Sequence, residues 1–246
     1  MIKSLRDKTI RYKERMFVAE GSRLVLDIMK HNPSLLYLIA GTADWINGNE
    51  AKLNGFGNIL REIAPRQLSD VAGLKSTEEV LALVWFPEFQ DDHFLSSKTG
   101  IFLERISDPG NLGTIIRTAD WFGIKEIMLS PGCVDPFNNK CVQASMSSVC
   151  RVKLKVLNIN EIRDYSNISW LWAADMGGVP IQNAVSDNSV VICFGNEAQG
   201  ISNELRSTCN EIVSIPSWSL GAESLNLAVS AGVFMSYRKL TSKNDN

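Results

Sequence analysis

The sequence predicts an α/β protein in two parts: a smaller N-terminal α/β unit over residues 1–95 and a larger parallel-sheet domain over residues 100–246. Three observations carry this reading. Short apolar runs alternate with helix-like stretches. The runs after residue 100, Val190-Val-Ile-Cys-Phe194 above all, are almost wholly apolar, as strands of a parallel sheet covered on both faces must be. A polar stretch without period, Asp91 to Gly100, separates the two parts.

Taken in order, Leu5 to Met29 reads as one or two helices, because Phe17, Val18, Leu24, Val25 and Ile28 fall near helical spacing. Leu35 to Ala40 is a short strand. Asp44 to Phe56, broken by Gly48, Asn49, Asn54 and Gly55, reads as a small helix between loops. Ile59 to Ile63, and Val80 to Phe86 after the polar Ser76-Thr-Glu-Glu79, add strands. In the second part, strands are predicted at 101–106, 125–129, 152–156, 169–174, 190–194 and 212–215. Helices are predicted at 111–122, 138–147, 200–207 and 224–240. No internal repeat is present.

Composition narrows the class. The chain has 246 residues, 45% of them hydrophobic and 21% charged, enough to bury a real core. No apolar stretch approaches the roughly 20 residues needed to span a bilayer. The first residues, Met1-Ile-Lys-Ser-Leu-Arg-Asp-Lys8, carry no apolar signal region, so a cytoplasmic protein is expected. Five cysteines, Cys133, Cys141, Cys150, Cys193 and Cys209, are odd in number and lack paired-ligand spacing. Reduced thiols are expected, with neither a disulfide framework nor a metal site. The net charge of −2 alone does not suggest a nucleic-acid binder; its distribution is compatible with one, or with a solvated helix face. Residues 1–30 hold eight basic side chains against four acidic ones, a local +4 suited to phosphate contact.

Several common chemistries lack their motifs. No G-x-x-x-x-G-K-[ST] is present, no G-x-G-x-x-G follows a strand, and G-x-S-x-G is missing. The two histidines, His31 and His93, both lie in the first part, which argues against a Ser-His or Cys-His nucleophile in the second.

Three segments of the second part do share one form, an apolar run, a tight turn and a helix pattern. The first, Asp108-Pro-Gly-Asn-Leu-Gly-Thr-Ile-Ile-Arg-Thr-Ala119, places one cation, Arg117, in an otherwise uncharged helical stretch. The second is Phe194-Gly-Asn-Glu-Ala-Gln-Gly-Ile-Ser202. The third is Ile215-Pro216 followed by Glu223-Ser-Leu-Asn-Leu-Ala-Val229. A strand end, a glycine turn and a helix start offer free N–H groups to an anion or a developing oxyanion. Three such turns suggest a site built at strand ends.

In that order, over residues 101–240, these segments resemble the three motifs of the SpoU (TrmH-type) RNA 2′-O-ribose methyltransferases of the SPOUT superfamily. The first 90 residues more weakly resemble the family's ribosomal-protein-like RNA-binding domain, through Arg11-x-Lys13, Phe17-Val-Ala-Glu-Gly21 and Leu24-Val25. The resemblance implies S-adenosyl-L-methionine as cofactor and a homodimer with active sites at the subunit interface. It also implies a deep C-terminal trefoil knot, which no periodicity argument reaches, since chains are normally unknotted.

Carried over residue by residue, the motifs make Gly195, Ile215 and Leu225 cofactor contacts, with Gly200 closing the same turn. Asn111, Arg117, Glu197, Ser224 and Asn226 become the catalytic group. The family assigns the arginine to activating the 2′-hydroxyl. A guanidinium stays protonated far above neutral pH, so Arg117 is better read as holding the adjacent phosphate and stabilising the forming alkoxide. Asn111 could cap helix 111–122 or orient Arg117; Glu197 could anchor Arg117 or a neighbouring loop; Ser224 and Asn226 could cap the last helix or hold the ribose. Small residues in that helix, Ala228, Ser230, Ala231 and Gly232, are expected at a dimer contact. Arg11, Lys13 and Arg15 are the expected RNA contacts.

The chain departs from the family pattern in two local places and one global one. The loop Ser217 to Glu223 is one residue longer than usual, Ser147 stands where glycine is common, and the overall balance is acidic. The expected reaction is methyl transfer to a ribose 2′-hydroxyl of ribosomal RNA. The alternatives are the same reaction on transfer RNA, or an RNA-binding protein that kept the fold without catalysis.

Overall fold

The computed structural model describes residues 1–72, 79–89, 99–164, 170–184, 189–218, 221 and 223–241. The expected boundary Asp91 to Gly100, with His93, lies almost wholly outside the described residues, as do Ser76 to Glu78. In chain order the first elements are α1 (Lys8–Glu14), β1 (Met16–Glu20), α2 (Ser22–His31), β2 (Leu36–Gly41), α3 (Ala43–Gly48), α4 (Glu50–Leu53), β3 (Leu60–Glu62), α5 (Pro65–Val71) and β4 (Val80–Trp85). Then follow β5 (Thr99–Leu103), α6 (Pro109–Trp121), β6 (Glu126–Leu129), α7 (Asn139–Ser145), β7 (Lys153–Val156), α8 (Ile159–Asp164), β8 (Trp170–Pro180), β9 (Val190–Phe194), α9 (Asn203–Thr208), β10 (Glu211–Ser214) and α10 (Leu227–Thr241).

Two compact units result. The first holds Met1–Glu88 together with Asp135–Cys150. Its sheet runs β1-β4-β2-β3, antiparallel except for the parallel β2–β3 pair. Met16 to Glu20 is a strand, which corrects the helical reading of Leu5 to Met29. All five residues are buried and pair with β4. Arg15 ends α1 in a left-handed conformation (φ 52°), and Gly21 (φ 97°) admits the chain to α2. The helical spacing came from the helices on either side. Asp44 to Phe56 holds two short helices where one was predicted, and α5 has no counterpart in the sequence reading. One sheet face packs Met16, Val18, Leu81 and Leu83 with Leu5 and Leu68.

Residues 135–150, which the sequence assigns to the second domain, are part of this first unit. Their anchor is Asp135. Its buried carboxylate accepts from Arg11 Nε (3.0 Å) and Nη2, and from the Tyr12 hydroxyl at 3.1 Å. Arg11 Nη1 donates to the carbonyl oxygens of Leu5 and Arg6, both at 2.7 Å. Arg11 is 4% exposed, so its donors are committed to the fold; as an expected RNA contact it is corrected. Burial, and then the Asp135 charge, raise the Tyr12 pKa above its ordinary value of 10.0. Phe137 stacks on Phe86 with ring centroids 3.9 Å apart. The Ser147 hydroxyl donates to Asp27, which gives the serine at the family's glycine position a partner.

The second unit is Phe89–Val134 with Arg151–Asn246. Its sheet runs β10-β8-β9-β5-β6-β7, every pairing parallel. Phe102, Met128, Val191 and Cys193 pack one face against Leu157, Ile162 and Leu205. On the other face α6 packs against α10, and Phe194 meets Phe234 edge-on at 5.6 Å. All residues of β5 and β9 are buried, as the apolar runs require. The boundaries differ from expectation at β5, which ends at Leu103, and at β8, which extends to Pro180. Ala228 and Ala231 face the interior of this unit. Ser230 and Gly232 are partly buried, and the exposed large apolar residues of α10 are Val229, Val233 and Leu240.

Removing one member of a buried ion pair strands the other charge away from water. Asp135→Ala is therefore expected to lower unfolding free energy by about 3–5 kcal/mol. Urea unfolding of the two chains measures the difference; a loss under about 1 kcal/mol, the range of an exposed pair, would contradict this account.

Candidate active site

An all-parallel sheet brings every strand's carboxyl end to one edge. From β5, the chain order leaves toward β6 and β7 on one side and toward β9, β8 and β10 on the other. Loops diverge at such a switch point and leave a crevice between them. Two loops border it, Glu104 to Asp108 between β5 and α6, and Gly195 to Ser202 between β9 and α9.

The first loop ends in a helix start that the sequence encodes locally. Asp108 Oδ1 accepts the Asn111 N–H at 2.7 Å, and Pro109 opens the helix. Asp108 is thus the cap, and Asn111, offered as a cap, keeps its side chain free for other work. The second loop is closed by Asn196 and Gly200, which exchange backbone N–H···O bonds of 3.0 and 2.8 Å. The Asn196 side chain accepts from the N–H groups of Ala198 and Gln199. Gly200 has φ +68°, and a Cβ on Gly195 would lie 2.1 Å from the Gly200 carbonyl carbon. Gly195 is required first by its own turn.

Glu197 joins the two loops. Its carboxylate accepts from the Ser107 N–H (3.2 Å) and hydroxyl (3.0 Å), the Asp108 N–H (3.2 Å) and Asn111 Nδ2 (3.2 Å). Asn111 Oδ1 in turn accepts from Asn226 Nδ2 at 3.0 Å. Asn226 Oδ1 takes the N–H groups of Ala228 (2.9 Å) and Val229 (3.3 Å), capping α10. One hydrogen-bonded line therefore runs from the β9 loop through the start of α6 to the start of α10, touching all three sequence segments. Desolvation pushes the Glu197 pKa up. Its own N–H, the Asn111 amide and the Ser107 and Asp108 N–H groups outweigh that and hold it below its ordinary 4.5. At neutral pH Glu197 is an ionised acceptor that positions loops.

The other expected residues sit around this line. Arg117 is exposed on α6, six residues beyond Asn111 and so about 120° round the helix from it. Among the described residues it makes no ion pair or hydrogen bond, so neither Asn111 nor Glu197 anchors it. Ser224 is exposed and does not cap α10. Ile215 and Pro216 are half-buried beyond β10, Leu225 is half-exposed, and Trp218 is 91% exposed in the longer loop. In the first unit, Lys13 and Arg15 are exposed; Arg15 meets Glu88 at 3.2 Å. The sequence reading passed over Ser107 and Glu104. Glu104 is 3% exposed and accepts the Ser202 N–H at 2.9 Å. An acidic residue closing an apolar strand was its available signal.

Residues 98–236 match the model of the SpoU rRNA Methylase family. Over 236 residues the chain is 26% identical to the 23S rRNA (guanosine(2553)-2′-O)-methyltransferase RlmP of Bacillus subtilis (strain 168), covering 95% of this chain and 92% of that one. The structure of an AdoMet-bound rRNA methyltransferase from Sinorhizobium meliloti superposes with a TM-score of 0.80 at 28% identity, covering 98% of this chain and 93% of that one. The SpoU methyltransferase AviRb from Streptomyces viridochromogenes, in complex with AdoMet, has the same fold: TM-score 0.81, 21% identity, coverage 98% and 97%.

Two outcomes are expected. Gly195→Ala drives a methyl group into the Gly200 backbone, so the 195–202 turn must open; the melting temperature falls and protease cleavage appears within that loop. An unchanged cleavage pattern would count against the tight-turn reading. Because Glu197 is depressed in the folded state, its contribution to stability is complete above pH 4.5 and fades as pH falls through the lower folded value. The stability gap between the wild type and Glu197→Gln should accordingly be constant from pH 5 to 7 and shrink below about 4.5. A gap that widened on acidification would reverse the sign.

Proposed function

The chain belongs to the SpoU rRNA methylase family, and on that basis we propose that it transfers a methyl group from S-adenosylmethionine to a ribose 2′-hydroxyl of ribosomal RNA. The observation that carries the reading is the Glu197–Asn111–Asn226 line, which draws the three motif segments into one site at the carboxyl edge of the sheet. The nearly full-length likeness to an rRNA 2′-O-methyltransferase and to an AdoMet-bound rRNA methyltransferase supports substrate and cofactor alike.

The residues present suit the cofactor. Ile215, Pro216 and Leu225 are apolar, uncharged and partly open, as an adenine ring requires. Gly200 has open space where a Cβ would stand. Gly195, Gly200, Ile215 and Leu225 would hold the group, and when bound it supplies an electrophilic methyl on a sulfonium. The 2′-hydroxyl must lose its proton as it attacks. Arg117 serves as a cation rather than a base: it holds the neighbouring phosphate and stabilises the forming alkoxide, while phosphate or water takes the proton. Asn111 and Asn226 keep the loops in register, and Ser224 borders the ribose.

Arg117 lies about 120° round α6 from Asn111 in its own protomer, which supports a site that takes this arginine from the other subunit of a homodimer. The exposed apolar residues Val229, Val233 and Leu240 of α10 support such a contact. The deep trefoil knot belongs to the same reading, and membership of the family is what supports it. The N-terminal unit is read as the RNA-binding domain, with Lys13 and Arg15 as phosphate contacts. Among the described residues no helix is long and apolar enough to cross a membrane, and the proposed ribosomal RNA substrate supports a cytoplasmic location.

Incubation with methyl-labelled S-adenosylmethionine and either total ribosomal RNA or transfer RNA separates the possibilities. Label is expected in ribosomal RNA as a 2′-O-methyl group. Label in transfer RNA alone would change the substrate, and label in neither, with cofactor bound, would leave a binding protein. Arg117→Ala is expected to abolish transfer with cofactor affinity changed by no more than a few-fold. Loss of both together would mean the residue has another role.

A further inference from the structure

Arg105 follows buried Glu104 at the carboxyl end of β5, in the middle of the sheet edge, and it has φ 51°. Glycine or asparagine takes that left-handed conformation readily, whereas a long side chain is strained in it. The backbone is pinned from both flanks. Its N–H donates to Ser130 Oγ beyond β6 at 2.8 Å, and its carbonyl accepts from Asn196 Nδ2 of the β9 loop at 2.7 Å. Backbone geometry alone would be met by glycine, so a reason for the arginine lies in its guanidinium.

That guanidinium has little to do within the protomer. Among the described residues its ion partner is Glu104, at 3.4 Å from Nη2. The Glu104 side chain is 4% exposed and its other oxygen is already taken by the Ser202 N–H, while the Arg105 side chain is 46% exposed. Most of its five donors therefore face solvent. The other acids bordering the crevice are engaged: Asp108 caps α6 and Glu197 bridges the loops.

We propose that Arg105 binds a phosphodiester of the RNA, next to the ribose that is methylated; this rests on the RNA-methyltransferase reading above. A ribose within a chain has a phosphate on either side, and the planar fork of a guanidinium matches phosphate oxygens. The cofactor's carboxylate offers similar chemistry, and cofactor affinity measured beside RNA affinity tells the two apart. Arg105 sits toward β6, where a Cβ on Gly132 would lie 3.7 Å from its Cγ.

The test uses the full chain and an unmodified transcript of 23S ribosomal RNA. RNA affinity is measured by filter binding across a potassium chloride series, cofactor affinity by calorimetry, and methyl transfer alongside. Arg105→Gly keeps the left-handed backbone and removes the guanidinium. It should weaken RNA binding about tenfold, a single charge-assisted contact, and make log K against log salt shallower by about one phosphate. Cofactor affinity should not move, and Arg105→Lys should restore most of the slope. Since Arg105→Gly leaves the Glu104 carboxylate without its cation, the double variant Glu104→Gln/Arg105→Gly repeats the measurement with no buried charge exposed to that loss. RNA affinity and slope at wild-type values in both glycine variants, or a loss confined to cofactor affinity, would overturn the assignment. Wild-type chain that binds RNA but transfers no methyl group would instead sink the reaction reading, and the two failures are told apart in one series.

Discussion

The site depends on a single ionised carboxylate with no proton to give. Glu197 accepts from three residues of the β5–α6 segment at once, and a neutral acid, with a proton on one oxygen, would lose part of that acceptor capacity. Backbone N–H groups of Ser107 and Asp108 would otherwise point into the crevice. The carboxylate locks the start of α6 to the turn after β9. Through Asn111 it reaches Asn226, and so fixes where α10 begins. Catalytic geometry on loops is only as good as the contacts that hold those loops; here the contacts are charge-assisted and converge on one group.

That arrangement requires the sheet beneath it. Six parallel strands with β5 and β9 side by side bring two loops from distant parts of the sequence to the same edge. The buried apolar strands make the platform rigid, and the divergence of connections at β5 opens the crevice. Polar residues then serve twice. Asn226 caps a helix with its carbonyl and extends the network with its amide; Asn196 closes a turn with one end and holds the Arg105 carbonyl with the other. A substitution at such a residue would disturb local structure and site together.

Charge gave a more mixed account. The N-terminal basic stretch suggested nucleic-acid contact, and Lys13 and Arg15 are exposed as that requires. Arg11, two residues before Lys13, neutralises Asp135 from 124 residues away. A local charge tally cannot separate an arginine in solvent from one buried against a distant acid, because the partner is supplied by tertiary folding. The same pair explains why residues 135–150 belong to the first unit although they lie within the second part of the sequence.

From residue order alone one reads the alternation of strands and helices, the parallel character of the second sheet and the three turn segments. Each is written in local patterns: apolar runs, glycine turns, Asp-Pro-Gly at a helix start. Met16 to Glu20 escaped because its partner strand begins some sixty residues later, and five buried residues between two helices carry no period of their own. Which strands adjoin, which loops meet and which arginine is free are long-range facts. They follow from pairing and burial between segments far apart in the chain, and so only the folded molecule decides them.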